Sequence, residues 1–300
     1  MPRAIRGAFF VGKRKSITIT DSHIMSTPKQ SSHIEPTHHP ESAEAAQTVE
    51  KAETVAANEQ SNAHDYGHIK SFVHRKGHFS EAQRRAYESL MPVFGIPYDK
   101  QLKSAQKWAQ IFGNDHPIVL EIGCGMGETT AKIAAQNPNV NYIGVEVFTT
   151  GVGALLKRVQ EYGLSNLRII QHDAVEIVRD MIPQGMLAGV HIFFPDPWHK
   201  ARHHKRRLIQ TPFVHELALR LKSGGYIHCA TDWENYAEQM LAVLSGEELL
   251  INTNPAQSFI PRPETRPLTK YENRGNRLGH GVWDVLFEKN PYNPKGIKLG

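Results

Sequence analysis

Residues 193–207 bring together side-chain types that could do chemistry. In the stretch FFPDPW, Pro195 and Pro197 flank Asp196 and stiffen the backbone that carries its carboxylate. A carboxylate held in this way can accept hydrogen bonds from the N1–H and N2–H2 edge of a guanine, and Trp198 can supply a stacking face or a wall. The alternative is a proline-rich turn in which Asp196 bonds only to nearby backbone.

A strongly basic run follows this turn. Residues 199–207 hold five Lys or Arg and three His, with no acid and no Cys among them. Beside a reactive crevice such a run is typical of phosphate contacts with a nucleic acid, whereas elsewhere it would be an ordinary solvated face. His199 and His203 have a spacing that metal ligands can use, but the neighbouring cations would repel a metal ion. We therefore predict phosphate contacts and no metal.

A glycine-rich stretch, VLEIGCGMGETT, lies where the first predicted strand turns into a helix. Gly123, Gly125 and Gly127 allow the backbone to approach a ligand closely. The dinucleotide fingerprint GxGxxG would need a glycine where Glu128 stands. Glu121 suits a positively charged ligand better than a pyrophosphate. A purely structural tight turn is the alternative.

Two further acids are expected to face the same crevice. Glu146 follows the second predicted strand, about 20 residues beyond the glycines, where a carboxylate can accept both hydroxyls of an adenosine ribose. Asp173 follows the third strand and can accept from an exocyclic amine such as adenine N6. Together with Glu121, these acids match a cofactor with a ribose, an adenine and a cationic centre, such as S-adenosylmethionine. Each acid alone could instead be a helix cap.

The elements that must position these residues alternate along the chain. Short apolar runs and segments of helical periodicity follow each other through five rounds, which implies a parallel sheet covered on both faces. The basic run is expected to form a loop and the start of a helix that continues to residue 222. A late alternating strand over 280–290 is expected at the sheet edge. The other predicted strands are 117–123, 141–147, 167–173, 189–195 and 225–232, and the helices are 99–113, 127–138, 150–163, 174–183, 211–222 and 233–246.

Composition limits the class of protein. The chain has 300 residues, a net charge of +5 and two cysteines, Cys124 and Cys229. Two cysteines in such a chain indicate buried thiols in a reducing, cytoplasmic compartment rather than a disulfide framework. No apolar run approaches the ~20 residues that span a bilayer. The polar composition of residues 26–68 predicts a disordered extension over 1–68, followed by a domain over 69–300 whose compact structure begins near Tyr98.

Two later segments belong to the predicted crevice. Asp232 ends the fifth strand in the stretch CATDWENY. The stretch RPETRPLTKYENRG is rich in proline and polar residues, and it predicts a long loop that closes over a base.

Taken together, these motifs resemble a known family. LEIGCGMGETT, GVEV, HDA, FFPDPWHKARHHKRRL, ATDWENYA and RPLTKYENRG occur in the order and spacing of the bacterial tRNA (guanine-N7-)-methyltransferase family, TrmB. The resemblance covers roughly residues 70–300. The Pro-Asp-Pro-Trp segment with its basic extension and the Thr-Lys-Tyr-Glu segment are highly specific, whereas the glycine loop alone would indicate only a class I methyltransferase.

The resemblance implies a Rossmann-like class I methyltransferase fold, a mainly parallel seven-stranded sheet with helices on both faces. It also implies S-adenosylmethionine as methyl donor, tRNA as partner, and methylation at N7 of a guanine in the variable loop. Asp196 would be the catalytic residue. The cofactor would contact Glu121, Gly123, Gly125, Glu146, Asp173 and Asp196. The substrate would contact Lys200, Asp232, Thr269, Lys270, Tyr271 and Glu272, and the RNA would contact Arg202, His203, His204, Lys205, Arg206 and Arg207.

Other function classes fit the residues less well. A methyltransferase that acts on a small molecule has no use for the basic run. A methyltransferase that acts on another RNA would have the same basic run, and this alternative stays open. An oxidoreductase that binds NAD needs the absent GxGxxG loop. A non-catalytic RNA-binding protein does not need three acids at successive strand ends. The sequence leaves open whether the protein is a monomer or a homodimer.

Overall fold

The computed structural model describes residues 68–73, 77–269, 272 and 281–291. The prediction of a disordered extension over residues 1–68 therefore lies almost entirely outside the described residues.

Among the described residues seven strands form one sheet, and all but the sixth follow the predicted strands closely. They are β1 (Ile118–Ile122), β2 (Asn141–Val145), β3 (Leu167–Ile170), β4 (Leu187–Phe193), β5 (Leu221–Thr231), β6 (Leu250–Asn252) and β7 (Trp283–Lys289). Their order across the sheet is β3-β2-β1-β4-β5-β7-β6. The first five pair in parallel, while β7 runs antiparallel to β5 and β6. This is the class I methyltransferase sheet that the resemblance implies.

Helices cover both faces of this sheet. They are α1 (Glu81–Phe94), α2 (Ala105–Phe112), α3 (Glu128–Gln136), α4 (Thr149–Tyr162), α5 (Ala174–Asp180), α6 (Thr211–Arg220) and α7 (Glu234–Ser245). One apolar core contains residues of α2, α5, α6 and α7, and a second contains residues of α1, α3 and α4. Leu120 belongs to the first core and Val119 to the second, as expected for successive side chains that point to opposite faces.

Compact structure begins earlier than predicted. Instead of starting near Tyr98, the fold includes α1, which the Ser80 hydroxyl caps by accepting a hydrogen bond from the Gln83 N–H (3.3 Å). The Gln83 side chain accepts in return from the Ser80 N–H (2.9 Å). This reciprocal capping box is visible in the sequence as Ser-Glu-Ala-Gln and marks a helix start that apolar periodicity alone missed.

Two other predictions were wrong in position. β7 lies inside the sheet and not at its edge, because the three-residue strand β6 pairs on its outer side.

The basic run does not start a long helix. It forms a separate 3₁₀ helix, Ala201–Arg206, and α6 begins only at Thr211 with a proline in its first turn. Proline is favoured there because that position needs no N–H donor, so the chain restarts a helix instead of continuing one.

The predicted state of the cysteines is confirmed, since Cys124 and Cys229 are buried free thiols. Gly113 ends α2 in the left-handed conformation (φ 74°), which glycine adopts without steric cost. In the part of the chain that the structure describes, no helix has the length and apolar character of a membrane span.

Candidate active site

A cavity of about 540 Å³ opens at the carboxyl ends of β1, β4 and β5. In open parallel sheets this is the edge where ligands bind, and the volume falls within the ~300–1,000 Å³ typical of small-molecule sites. The cavity brings together four of the predicted segments. Its lining includes Glu121, Gly123, Gly125, Gly127, Asp196, Asp232 and Thr269.

The glycine loop forms the floor of this cavity. Gly123, Gly125 and Gly127 all have positive φ (72°, 52° and 72°), a conformation that side chains disfavour. A Cβ added at Gly127 would lie 2.5 Å from Leu155 Cδ1, so this glycine also permits close packing of α3 against α4. A Cβ at Gly123 would meet nothing within 4 Å. The space beside Gly123 is therefore open to a ligand.

Glu121 is a buried carboxylate that faces the cavity with one oxygen unpaired. Its side chain is 3% exposed, and its Oε1 accepts a hydrogen bond from the Thr130 hydroxyl (2.8 Å). Within the described residues its Oε2 has no hydrogen-bond partner. Burial raises the pKa of Glu121 to about 7, and the Thr130 hydrogen bond lowers it only in part. A bound cation would restore the charged form of this group.

Glu146 stabilises the glycine loop from below. Its carboxylate accepts hydrogen bonds from the N–H groups of Gly125 (2.8 Å), Val147 (2.8 Å) and Phe148 (3.0 Å). Burial raises its pKa, and these three hydrogen bonds oppose that rise. A carboxylate offers about four acceptor positions, so one remains for a ligand hydroxyl. The structure does not place Glu146 among the cavity-lining residues.

Asp173 is the N-cap of α5, and a second residue already contacts it. Its Oδ1 accepts from the Val175 N–H (2.9 Å), and its Oδ2 lies 2.8 Å from Nε2 of His68. It too lies outside the cavity lining. The capping alternative that the sequence left open is thus realised at Asp173, whose second oxygen contacts His68, and the contact with a cofactor amine stays a prediction.

The turn after β4 is strained on both sides of Asp196. Phe194 and Trp198 have positive φ angles of 52° and 48°, which are unusual for bulky residues. Strain of this kind persists where surrounding contacts fix the backbone, and it clusters at functional sites. The exposed Asp196 and its two flanking prolines line the cavity.

Trp198 does not line the cavity, so it is not the predicted wall. Its indole N–H donates to the Ser71 carbonyl (3.1 Å), and its ring is covered by the Arg206 guanidinium (5.0 Å from the ring centroid) and by the edge of His203. Trp198 therefore connects the turn to the N-terminal segment 68–73 and to the basic run.

The basic run divides into outward and inward cations. Lys200, Arg202 and Lys205 are exposed, and among the described residues no carboxylate forms a salt bridge with them. Partial burial and then the charges of Arg202 and Arg206 lower the pKa of His203, which is the direction expected in a cluster of unneutralised cations. An anion would relieve that repulsion.

Arg207 corrects the prediction of an RNA contact. It is only 2% exposed, and its guanidinium donates to the Pro197 carbonyl (2.8 Å), to Gln239 Oε1 (2.7 Å) and to Asn235 Oδ1 (2.9 Å). It also stacks on Tyr236 at 4.8 Å. A side chain so enclosed holds the turn after β4 to α7 and cannot reach a phosphate.

The predicted substrate loop is described only in part. Lys270 and Tyr271 lie outside the described residues. Glu272 is 4% exposed, and both its oxygens accept from Arg266. The structure thus gives Glu272 an ion pair within the protein, and its predicted contact with the substrate stays a prediction. Lys200 lies beyond the cavity lining.

Sequence reasoning missed several lining residues, including Met126, Thr129, Lys132, Arg158 and Leu268. Met126 and Thr129 lie within the glycine-rich motif itself, and Lys132 lies in α3, which begins directly after the glycines. Arg158 lies in the middle of α4, where no local pattern marks it, and only the packing of α4 brings it to the cavity.

In the described part of the chain, no three His, Cys, Asp or Glu side chains group as metal ligands.

Comparison with known proteins identifies the family. Residues 115–285 match a family model described as "Putative methyltransferase". The chain is 63% identical over 224 residues to the tRNA (guanine-N(7)-)-methyltransferase of Dechloromonas aromatica, covering 75% of this chain and 89% of that protein. The enzymes of the same description from Bordetella pertussis (60%, 74% of this chain and 85% of that protein) and Burkholderia thailandensis (61%, 74% and 82%) are similarly close. The chain belongs to the tRNA (guanine-N(7)-)-methyltransferase family.

Proposed function

We infer that this protein transfers a methyl group from S-adenosylmethionine to N7 of a guanine in the variable loop of tRNA. One observation carries the inference: a single cavity is lined both by the glycine loop with Glu121 and by the Asp196 turn with Asp232 and Thr269. The close relatives named as tRNA (guanine-N(7)-)-methyltransferases support the reaction and the tRNA partner. Two free cysteines favour a cytoplasmic protein.

The cavity fits this cofactor. The unpaired, buried oxygen of Glu121 suits a positively charged group, and the open space at Gly123 gives room for a ligand against the backbone. Arg158 lines the same cavity and supplies a positive charge for a ligand carboxylate, whereas Lys132 already pairs with Glu128 (3.2 Å). When bound, S-adenosylmethionine supplies an electrophilic methyl group on a positively charged sulfur.

The residues of the chain have little proton chemistry to perform. Guanine N7 carries an in-plane lone pair, so no proton has to leave before the attack on the methyl group. The contribution of the protein is alignment, which can supply a large part of a barrier. Asp196, on its strained and proline-flanked turn, is suited to hold the donor edge of the base, with Asp232 on the neighbouring strand end.

The outward cations supply the second requirement, tRNA affinity. Phosphate contacts dominate the affinity of such complexes but do not select a base. Lys200, Arg202 and Lys205 lie just beyond the Asp196 turn in the chain and are exposed. They can therefore position the RNA backbone beside the cavity.

A direct test uses the full-length protein, S-adenosylmethionine with a labelled methyl group, and an unmodified tRNA transcript. We expect label in the tRNA and N7-methylguanine after digestion. The matched control is the same tRNA with 7-deazaguanosine at the variable-loop position, which keeps the base-pairing edge but replaces N7 by C–H. That tRNA should bind with unchanged affinity and accept no label.

Each alternative gives a distinct result. Label at another atom, or full labelling of the 7-deaza tRNA, would contradict N7 as the acceptor. No transfer to any RNA, with cofactor binding intact, would favour a small-molecule substrate. RNA binding without cofactor binding would favour a non-catalytic protein.

A further inference from the structure

Arg266 is a fully buried cation beneath the rim of the cavity. Its side chain is 0% exposed. On one side its Nε and Nη2 donate to the two oxygens of Asp284, both at 2.7 Å. On the other side its Nη1 and Nη2 donate to the two oxygens of Glu272, at 2.7 and 3.2 Å. One guanidinium thus joins two carboxylates from different parts of the fold.

The two carboxylates differ in how they are held. Asp284 belongs to β7, inside the sheet, and also accepts from His228 of β5 (2.8 Å). Glu272 belongs to the loop at the cavity, where its N–H donates to the Thr269 hydroxyl (3.0 Å). Because Thr269 lines the cavity, the pairing with Arg266 ties the rim of the cavity to the sheet.

Arg266 also contacts the other wall of the cavity. Its guanidinium carbon lies 5.9 Å from the ring centroid of Phe193 and 5.5 Å from that of Phe194. Phe194 is the strained residue two positions before Asp196. The same side chain therefore supports both the substrate loop and the turn that carries the predicted catalytic carboxylate.

Stability alone is a weak reason for such an arrangement. Buried ion pairs can often be replaced by apolar residues without loss of stability, because desolvation offsets much of the attraction. What a guanidinium adds is a rigid fork that fixes two carboxylates in defined orientations, which the flexible ammonium of lysine does not reproduce. That property matters where a loop must be held to within a fraction of an ångström.

We propose that Arg266 is a positioning residue for methyl transfer, which holds the Thr269 rim and the Asp196 turn in register through Glu272, Asp284 and the Phe193–Phe194 pair. The proposal rests on the proposed function, because it concerns alignment of the base with the methyl donor. Arg266 itself does not line the cavity and needs no contact with cofactor or base.

The test is Arg266→Lys in the full-length protein, which keeps the charge but loses the fork. We expect the single-turnover rate constant, at saturating tRNA and cofactor, to fall at least about tenfold. Cofactor affinity, measured by calorimetry without tRNA, should stay within about twofold. A purely structural defect would reduce the fraction of protein molecules that are active. That fraction sets the amplitude of a single-turnover reaction and leaves its rate constant unchanged. Arg220→Lys is the matched control, since Arg220 is a buried arginine at the opposite end of β5 and should leave the rate unchanged.

Glu272→Gln provides the second variant. If Glu272 acts through Arg266, its loss should slow transfer at least about fivefold, and the double variant should be little slower than Arg266→Lys alone. Multiplying effects would mean that Glu272 contacts substrate directly, and would overturn the proposed coupling. A single-turnover rate constant of Arg266→Lys within about threefold of the wild-type value would also overturn the proposal. If Arg266→Lys does not fold, Glu272→Gln alone still exposes the proposal to refutation, because a single-turnover rate within about threefold of wild type would overturn it. A wild-type protein that transfers no methyl to tRNA would instead contradict the proposed function.

Discussion

Two buried acidic sites in this molecule differ in whether their carboxylates are paired. At the cavity floor, one oxygen of Glu121 has no partner among the described residues. Behind the cavity rim, Asp284 and Glu272 share Arg266, with His228 completing the pairing of Asp284. All three acids are nearly inaccessible to solvent, so burial alone does not distinguish them.

The difference appears in their protonation. Burial raises the pKa of Glu121 to about 7. Burial also acts to raise the pKa of Asp284, but hydrogen bonds from His228 and Arg266 outweigh it and hold that pKa below its ordinary value. An unpaired buried carboxylate is unfavourable unless a ligand supplies the missing charge, whereas a paired one is part of the framework. We therefore propose a binding role for the first site and a positioning role for the second.

The largest expected effect is the loss of a partner at the paired site. Asp284→Asn removes the charge opposite Arg266 and should lower the free energy of unfolding by about 3–5 kcal/mol. Chemical denaturation of the full-length protein without cofactor measures this loss. Glu121→Gln makes the same chemical change at the unpaired site and should lose less than half as much. Equal losses in the two variants would remove the distinction between the sites.

The next effect concerns the chemical step. Asp196→Asn keeps the size of the side chain but replaces one acceptor by a donor, so it should disrupt recognition of the guanine edge. We expect the single-turnover rate to fall at least about a hundredfold, the scale associated with displacing reacting atoms by about 1 Å. Affinity for tRNA should barely change, because phosphate contacts dominate it. Asp115→Asn, exposed just before β1 at the opposite end of the sheet, is the control. Near-normal turnover in Asp196→Asn would reduce Asp196 to a turn residue.

The unpaired site should also show itself in the pH dependence of stability. The pKa of Glu121 in the folded protein lies above its ordinary value of 4.5, so protonation of this group stabilises the folded state. That stabilisation is fully present below pH 4.5 and is lost as the pH rises through about 7. Between pH 5 and pH 8, without cofactor, the stability of wild type relative to Glu121→Gln should fall by roughly 2 kcal/mol. Unfolding curves at several pH values test this, and parallel pH profiles for the two proteins would refute it.

The smallest expected effect concerns the exposed cations of the basic run, which unlike the buried Arg207 are free to contact phosphates. Arg202→Ala with Lys205→Ala should flatten the salt dependence of tRNA binding, by about 0.7–0.9 in the slope of log K against log salt for each phosphate that is no longer neutralised. Cofactor affinity should not move. Lys222→Ala, an exposed cation at the far end of β5, controls for net charge and should leave the slope unchanged. An unaltered slope in the double variant would show that these cations are ordinary solvated surface residues and do not contact phosphates.

The sequence predicted the central part of the fold because its signals are local. Buried parallel strands and amphipathic helices repeat with periods that can be read along the chain, and every predicted strand and helix between residues 99 and 246 has a counterpart in the structure. The differences lie where the sequence signal is short. The Ser80–Gln83 capping box spans four residues without apolar periodicity, and β6 has three residues, too few to show a period.

Charge and motif alone could not show which site residues are paired. Lys205 and Arg207 have the same charge in one run, yet one is exposed and the other lies against Pro197 and Tyr236. Glu272 stands in a recognisable motif, but Arg266 and Asp284 determine its environment from elsewhere in the chain. Pairing depends on which distant residues the fold brings together, and a single sequence does not contain that information.

The claim that Glu121 is kept unpaired for a cationic cofactor is tested most directly by calorimetric titration with S-adenosylmethionine between pH 5.5 and 7.5, for wild type and for Glu121→Gln. If binding requires the charged carboxylate, the wild-type association constant should rise about 25-fold across this range, and the rise should flatten above the pKa of about 7. Glu121→Gln should bind more weakly and show no such rise. The same pH dependence in both proteins, or undiminished binding in Glu121→Gln, would contradict this role for Glu121.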